Sequence, residues 1–91
     1  MPPSLDDRQR LDELIDAIAQ GPLDPSFPQE RLRSCHELVD AGELLVALEL
    51  LAENIDDFAI PVPGTDRLIL REIGGRVGLG QGYLDLLVDP N

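Results

Sequence analysis

Leu11, Leu14, Ile15 and Ile18 recur at i, i+3, i+4 and i+7, and helical spacing of apolar residues returns along the chain, cut each time by glycine or proline. No segment alternates strictly at period 2, and Thr, Tyr and Phe are scarce, so nothing competes for a sheet. The punctuation predicts an all-α fold. A first helix runs from about Leu5 to Ala19, with Ser4 as its cap, Asp6 and Asp7 at its positive end, and Gly21-Pro22 as its stop.

Ser26 followed three residues later by Gln29 has capping-box spacing and predicts a second helix, with Pro28 in its first turn. Leu32, Cys35, Leu38 and Val39 point inward, and Gly42 closes the helix. From Glu43 to about Asp57, Leu44, Leu45, Ala47, Leu48, Leu51, Ala52 and Ile55, widened by Val46 and Leu50, mark a central helix. Ile60-Pro61-Val62-Pro63-Gly64 reads as an extended crossover, because each proline pushes its predecessor out of the helical region. Thr65 or Asp66 is expected to cap a fourth helix carrying Leu68, Ile69, Ile73 and Val77 inward, which Gly78 ends. A short fifth carries Tyr83, Leu84, Leu87 and Val88, with Asp89-Pro90-Asn91 after it. The expectation is one domain over 1–91, a small bundle of four to five helices.

At 91 residues such a chain buries only about 60–65% of the surface its unfolded form exposes, which disfavours a multi-layer enzyme with a deep pocket. Its hydrophobic fraction of 43% argues against disorder. Cys35 is the only cysteine, so neither an internal disulfide nor a CxxC metal site can form. The N-terminal residues show no basic and apolar leader pattern, and no apolar run approaches membrane-spanning length. A cytoplasmic location, without a membrane partner, is expected. Seven Arg, no Lys and 18 Asp and Glu give a formal net charge of −11. Such a surface repels phosphate backbones and attracts basic proteins.

Candidate chemistry is sparse, and neither a catalytic residue, a cofactor nor a metal is expected. His36-Glu37-Leu38-Val39-Asp40 faintly echoes a zinc helix, but the second histidine is missing, so a solvated helix face is the preferred reading. Cys35 lies on the apolar stripe and reads as a core residue despite its neighbour His36. The glycines at 78, 80 and 82 lack the spacing of a phosphate loop. Acyl-carrier proteins are also short acidic helical domains, but their Asp-Ser-Leu motif is absent. Residues 70–87 have the packing pattern of a helix-turn-helix, with small Gly74, turn Gly78, and Leu79, Leu84 and Leu87 at apolar positions. A recognition helix from Gln81 to Asp89 would carry Asp85 and Asp89 and no basic residue, so the segment reads as a packing corner rather than a DNA reader.

The region from Ser34 to Asp66 holds Glu37, Asp40, Glu43, Glu49, Glu53, Asp56, Asp57 and Asp66 without one Arg. Glu49, Glu53 and Asp57 follow at i, i+4 on one helix face, where each like-charged pair costs roughly a few tenths of a kcal/mol. Asp56 and Asp57 stand at the helix C-terminus, where the macrodipole disfavours anions by about 0.3–1 kcal/mol each. Folding gives no reason for this stripe. It is either a solubilising face or a surface for a basic partner.

Leu38-Val39-Asp40-Ala41-Gly42-Glu43, Ala47-Leu48-Glu49-Leu50-Leu51-Ala52-Glu53-Asn54-Ile55 and Ile60-Pro61-Val62-Pro63, followed by the 70–87 segment, resemble the MafI-type immunity proteins of bacterial polymorphic and contact-dependent toxin systems. The resemblance covers about residues 33–87 and rests on a leucine-rich helix and a proline loop. Tyr83 stands where the family has Trp or Tyr, while Gly74-Gly75 and the glycines near Gly80 depart from its usual polar helix. It implies a protein without chemistry of its own that binds the C-terminal domain of a cognate toxin, often a nuclease, and occludes its active site or substrate groove. Glu49, Glu53, Asp56 and Asp57 would form the charged patch, with Phe58 or Tyr83 as anchors. The free protein is expected to be a monomer or weak homodimer that contacts no nucleic acid. An acidic helical adaptor and a helix-turn-helix transcription regulator are the alternatives.

Overall fold

A computed structural model describes residues 5–88, which form five helices: α1 (Leu5–Gln20), α2 (Glu30–Asp40), α3 (Leu44–Asp57), α4 (Gly64–Val77) and α5 (Gln81–Leu86). Among the described residues there is no strand. α3 packs against α2, α4 and α5, and α1 closes the other side against α2 and α4. Leu11, Ile15, Leu48, Leu51, Leu70 and Ile73 are fully buried where these helices meet. Each such side chain contributes about 1.5–3 kcal/mol by leaving water. The cap expected from Ser4 and the stop at 89–91 lie outside the described residues.

The start of α2 differs from the capping-box expectation. Asp24 captures both the amide and the hydroxyl of Ser26, at 2.8 and 2.6 Å, so that hydroxyl is spent in a turn. The helix begins at Glu30, and Gln29 precedes it without a side-chain cap. Phe27 drops into the core from this turn. Of the expected inward residues of α2, Leu32, Cys35 and Val39 are buried and Leu38 is half-buried.

On α3 the inward arc is Leu44, Ala47, Leu48, Leu51, Ala52, Asn54 and Ile55. Leu45 and Val46, expected within the apolar set, are instead exposed at 36% and 43%. The buried arc already faces α2, α4 and α5, and no element among the described residues covers the opposite side. Asn54 fills its place in the arc by donating to the Leu50 carbonyl at 2.8 Å.

The crossover at 60–63 is extended as expected. α4 then begins earlier than a Thr65 or Asp66 cap requires, because the Pro63 carbonyl accepts the Arg67 amide at 3.0 Å and places both residues inside the first turn. Its buried arc is Arg67, Leu70, Ile73 and Gly74, so Leu68 is 48% exposed and Ile69 and Val77 are half-buried. Gly74 lies on this arc, close to two leucines. A Cβ there would meet Leu79 Cδ2 at 2.9 Å and Leu84 Cδ2 at 3.1 Å, so a larger residue would make these two leucine ends shift. α5 is short; Leu87 is buried beyond it, Tyr83 and Leu84 are half-buried, and Val88 is exposed.

Candidate functional site

A helix turns about 100° per residue, so the arc that α3 leaves to solvent carries Leu45, Val46, Glu49, Glu53, Asp56 and Asp57. Glu49 is half-buried and the other three acids are exposed. None of the four carboxylates forms an ion pair among the described residues. Among the described residues, the one side chain bonded to this row is Tyr83 of α5, whose hydroxyl donates to Glu53 Oε1 at 3.2 Å. That bond, then the charges of Glu53 and Glu49, raise the tyrosine's pKa and keep it a donor. The structure therefore brings Glu49, Glu53 and Tyr83 together across the α3–α5 seam.

Phe58 stands apart from that group, beyond the end of α3. Its ring meets Phe27 edge-to-face, centroids 4.8 Å apart and planes at 80°, and the Arg31 guanidinium lies 5.4 Å from its centroid. With 40% of its surface exposed it remains accessible, although one edge is already occupied.

Three acids of α1, Asp7, Asp12 and Asp16, have basic partners. Asp7 is 4% exposed at its side chain and takes a bidentate grip from Arg76, Nε to Oδ2 at 2.9 Å and Nη2 to Oδ1 at 2.6 Å, which ties α1 to α4. His36 places Nδ1 2.9 Å from Asp12 and Nε2 2.9 Å from Asp16. Burial opposes its charge, but the hydrogen bonds and charges of both aspartates outweigh burial and raise its pKa. Its partners thus lie on α1, not at Glu37 and Asp40 of its own helix. Among the described residues, no group of three His, Cys, Asp or Glu side chains is placed to hold a metal ion. Cys35 has no exposed surface, and burial pushes its thiol up to about 11, so it supplies no thiolate nucleophile at neutral pH.

Sequence reasoning missed Arg67. It is 7% exposed, and it donates through Nε to the Val62 carbonyl at 3.1 Å and through Nη1 to the Leu86 and Val88 carbonyls at 3.4 and 3.2 Å. One guanidinium thereby pins the crossover to the end of α5. Beside it opens a groove of about 1100 Å³ between the end of α1, the crossover and α5. No local pattern signals either feature, since Arg67 reads as a surface residue until the carbonyls reach it from both sides.

At the α4–α5 corner the second helix has only 6 residues and carries Asp85, bonded to Gln81 at 2.8 Å. No helix among the described residues is long and apolar enough to cross a membrane. Comparison with protein-family models, curated proteins and solved structures gave no match.

Proposed function

We propose that this chain is an immunity protein that acts in the cytoplasm, binding a basic toxin domain, of nuclease type, and occluding its active site or substrate groove. The observation that carries this reading is the row of four α3 carboxylates with no ion pair among the described residues, on a helix whose stability would gain from their removal. A nuclease groove shaped for phosphates presents Arg and Lys to such a row, and complementary charge accelerates encounter more than it deepens affinity. Glu49, Glu53, Asp56 and Asp57 supply the charge. Tyr83 anchors one flank and Phe58 the other. The resemblance of residues 33–87 to MafI-type immunity proteins supports the same reading.

The protein performs no chemistry in this role and needs no cofactor. The test is survival of cells expressing a candidate toxin domain only when this chain is co-expressed. It is joined to stopped-flow association between about 50 and 500 mM salt, where screening should slow complex formation steeply. A salt-independent rate would remove electrostatic steering. Binding to a host protein without any toxin rescue would favour the acidic adaptor instead.

A further inference from the structure

The groove beside Arg67 shares Asp56 with the outward face of α3 and otherwise lies around the end of that helix. Ile18, Leu23, Ile60, Val62, Leu86 and Val88 make its walls, and Pro61 and Pro63 stiffen one side. A second cavity of about 410 Å³ shares Leu23, Ala59 and Ile60 with it and is bounded by Phe27 and Phe58. Three carboxylates from three elements line the main cavity: Asp56 at the end of α3, Asp66 in the first turn of α4 and Asp85 on α5. None forms an ion pair among the described residues. Arg67, the sole basic residue among those lining it, spends its bonds on the carbonyls of Val62, Leu86 and Val88, which are parts of the groove's own wall. Its guanidinium holds the walls in place while the open edge stays acidic.

We propose that this groove docks a short extended segment of a partner protein in which aliphatic side chains alternate with Arg or Lys. The aliphatic groups would enter between Ile60, Val62 and Leu86, while the cations meet Asp56, Asp66 and Asp85. Its size suits a few residues of peptide, since pockets for drug-sized molecules span roughly 300–1,000 Å³. The site does not depend on the partner being a toxin.

The probe is a fluorescein-labelled peptide of about eight residues alternating Leu and Arg, titrated by anisotropy into the full chain near 150 mM salt, beside a version with Ser for Leu. The leucine peptide is expected to bind at least about tenfold tighter, because the apolar walls reward only it. Joint Asp56→Asn, Asp66→Asn and Asp85→Asn should weaken it by about tenfold or more. Ala17→Trp, at an exposed helical position on the rim, should block binding without touching the core. Glu49→Gln with Glu53→Gln, outside the groove, should leave affinity within about twofold. Circular dichroism of each variant reports folding, and Ala17→Trp keeps the test open if the triple variant unfolds. Equal binding of both peptides, indifference to Ala17→Trp, or a greater loss in the Glu49/Glu53 variant would overturn the proposal. So would self-association, by sedimentation velocity, that Ala17→Trp abolishes, since a second copy would then be the occupant. Loss of toxin rescue with peptide binding intact would remove the immunity reading alone.

Discussion

The last turns of α2 and α3 close with the same backbone hydrogen bonds and unlike residues. In α2 the amides of Gly42 and Glu43 reach the carbonyls of Val39 and Leu38 at 2.9 and 2.8 Å, and Gly42 takes the left-handed conformation at φ +81°. Although α2 also ends in acids, Arg8 Nη2 donates to the Asp40 carbonyl at 2.9 Å. In α3 the amides of Ala59 and Ile60 reach Asp56 and Ile55 at 3.3 and 3.0 Å, but the left-handed residue, at φ +47°, is an alanine. A side chain in that conformation costs about 1–2 kcal/mol. Asp56 and Asp57 add their charge to the negative end of the helix with no ion pair among the described residues. One chain thus holds a relaxed helix end and one that opposes local preference in both backbone and charge. Acids close both helices, but only at the end of α3 does a non-glycine residue in the left-handed region add backbone strain to that charge.

The largest effect that separates the two ends is on binding. Glu53→Gln with Asp57→Asn should lower affinity for the basic toxin domain by about 5–150-fold, or about 1–3 kcal/mol, as charge-assisted bonds are lost. The free protein should keep or slightly raise its melting temperature, because i, i+4 repulsion is relieved and the new amide still accepts from Tyr83. Calorimetric titration beside thermal unfolding checks both. Loss of stability with affinity intact would make the stripe part of the fold.

Next in size is Gly42→Ala. Nothing lies within 4 Å of a Cβ built there, so the expected destabilisation of about 1 kcal/mol is a backbone effect alone. Urea unfolding should show a lower midpoint at unchanged slope. Ala59→Gly should move the opposite way by about 0.5 kcal/mol, the relief of strain being partly offset by a freer unfolded chain. If both substitutions destabilised, the end of α3 would be as relaxed as that of α2.

The smallest effect tests the charge-matched side of the molecule. Asp12 and Asp16 raise the pKa of His36 in the folded state, so its contribution is complete below the unfolded value near 6.5 and fades as pH rises through the folded one. Stability followed from about pH 6 to 8.5 should therefore decline, and His36→Gln should flatten that decline. A steeper decline in the variant would exclude the two-aspartate clamp as its source.

Helix existence, the glycine stops at Gly42 and Gly78 and the tight corner at Gly74 were legible because each is set by residues close in sequence. N-termini were not: a capping signal names an acceptor but not its competitors, and Asp24 takes Ser26 while Pro63 pre-empts Thr65. Faces of broad apolar helices were only partly readable, since Leu45, Val46 and Leu68 depend on which side a neighbour covers. The acidic row could be read from spacing alone. The pairing of Asp7 with Arg76, 69 positions apart, and the carbonyl partners of Arg67 depend on tertiary proximity that no local pattern encodes.

Cys35 makes the interior of this bundle a chemical reporter. Its sulfur has no exposed surface and its thiol is pushed up to about 11, so an alkylating reagent can modify it only when the core opens and lets the thiolate form. The chain has no other cysteine, so modification kinetics read the opening frequency of one position without background. A partner that engages only the folded chain slows that chemistry by mass action wherever on the surface it sits. A single hidden sulfur can therefore register occupancy of the α3 face or of the groove with no label placed at either.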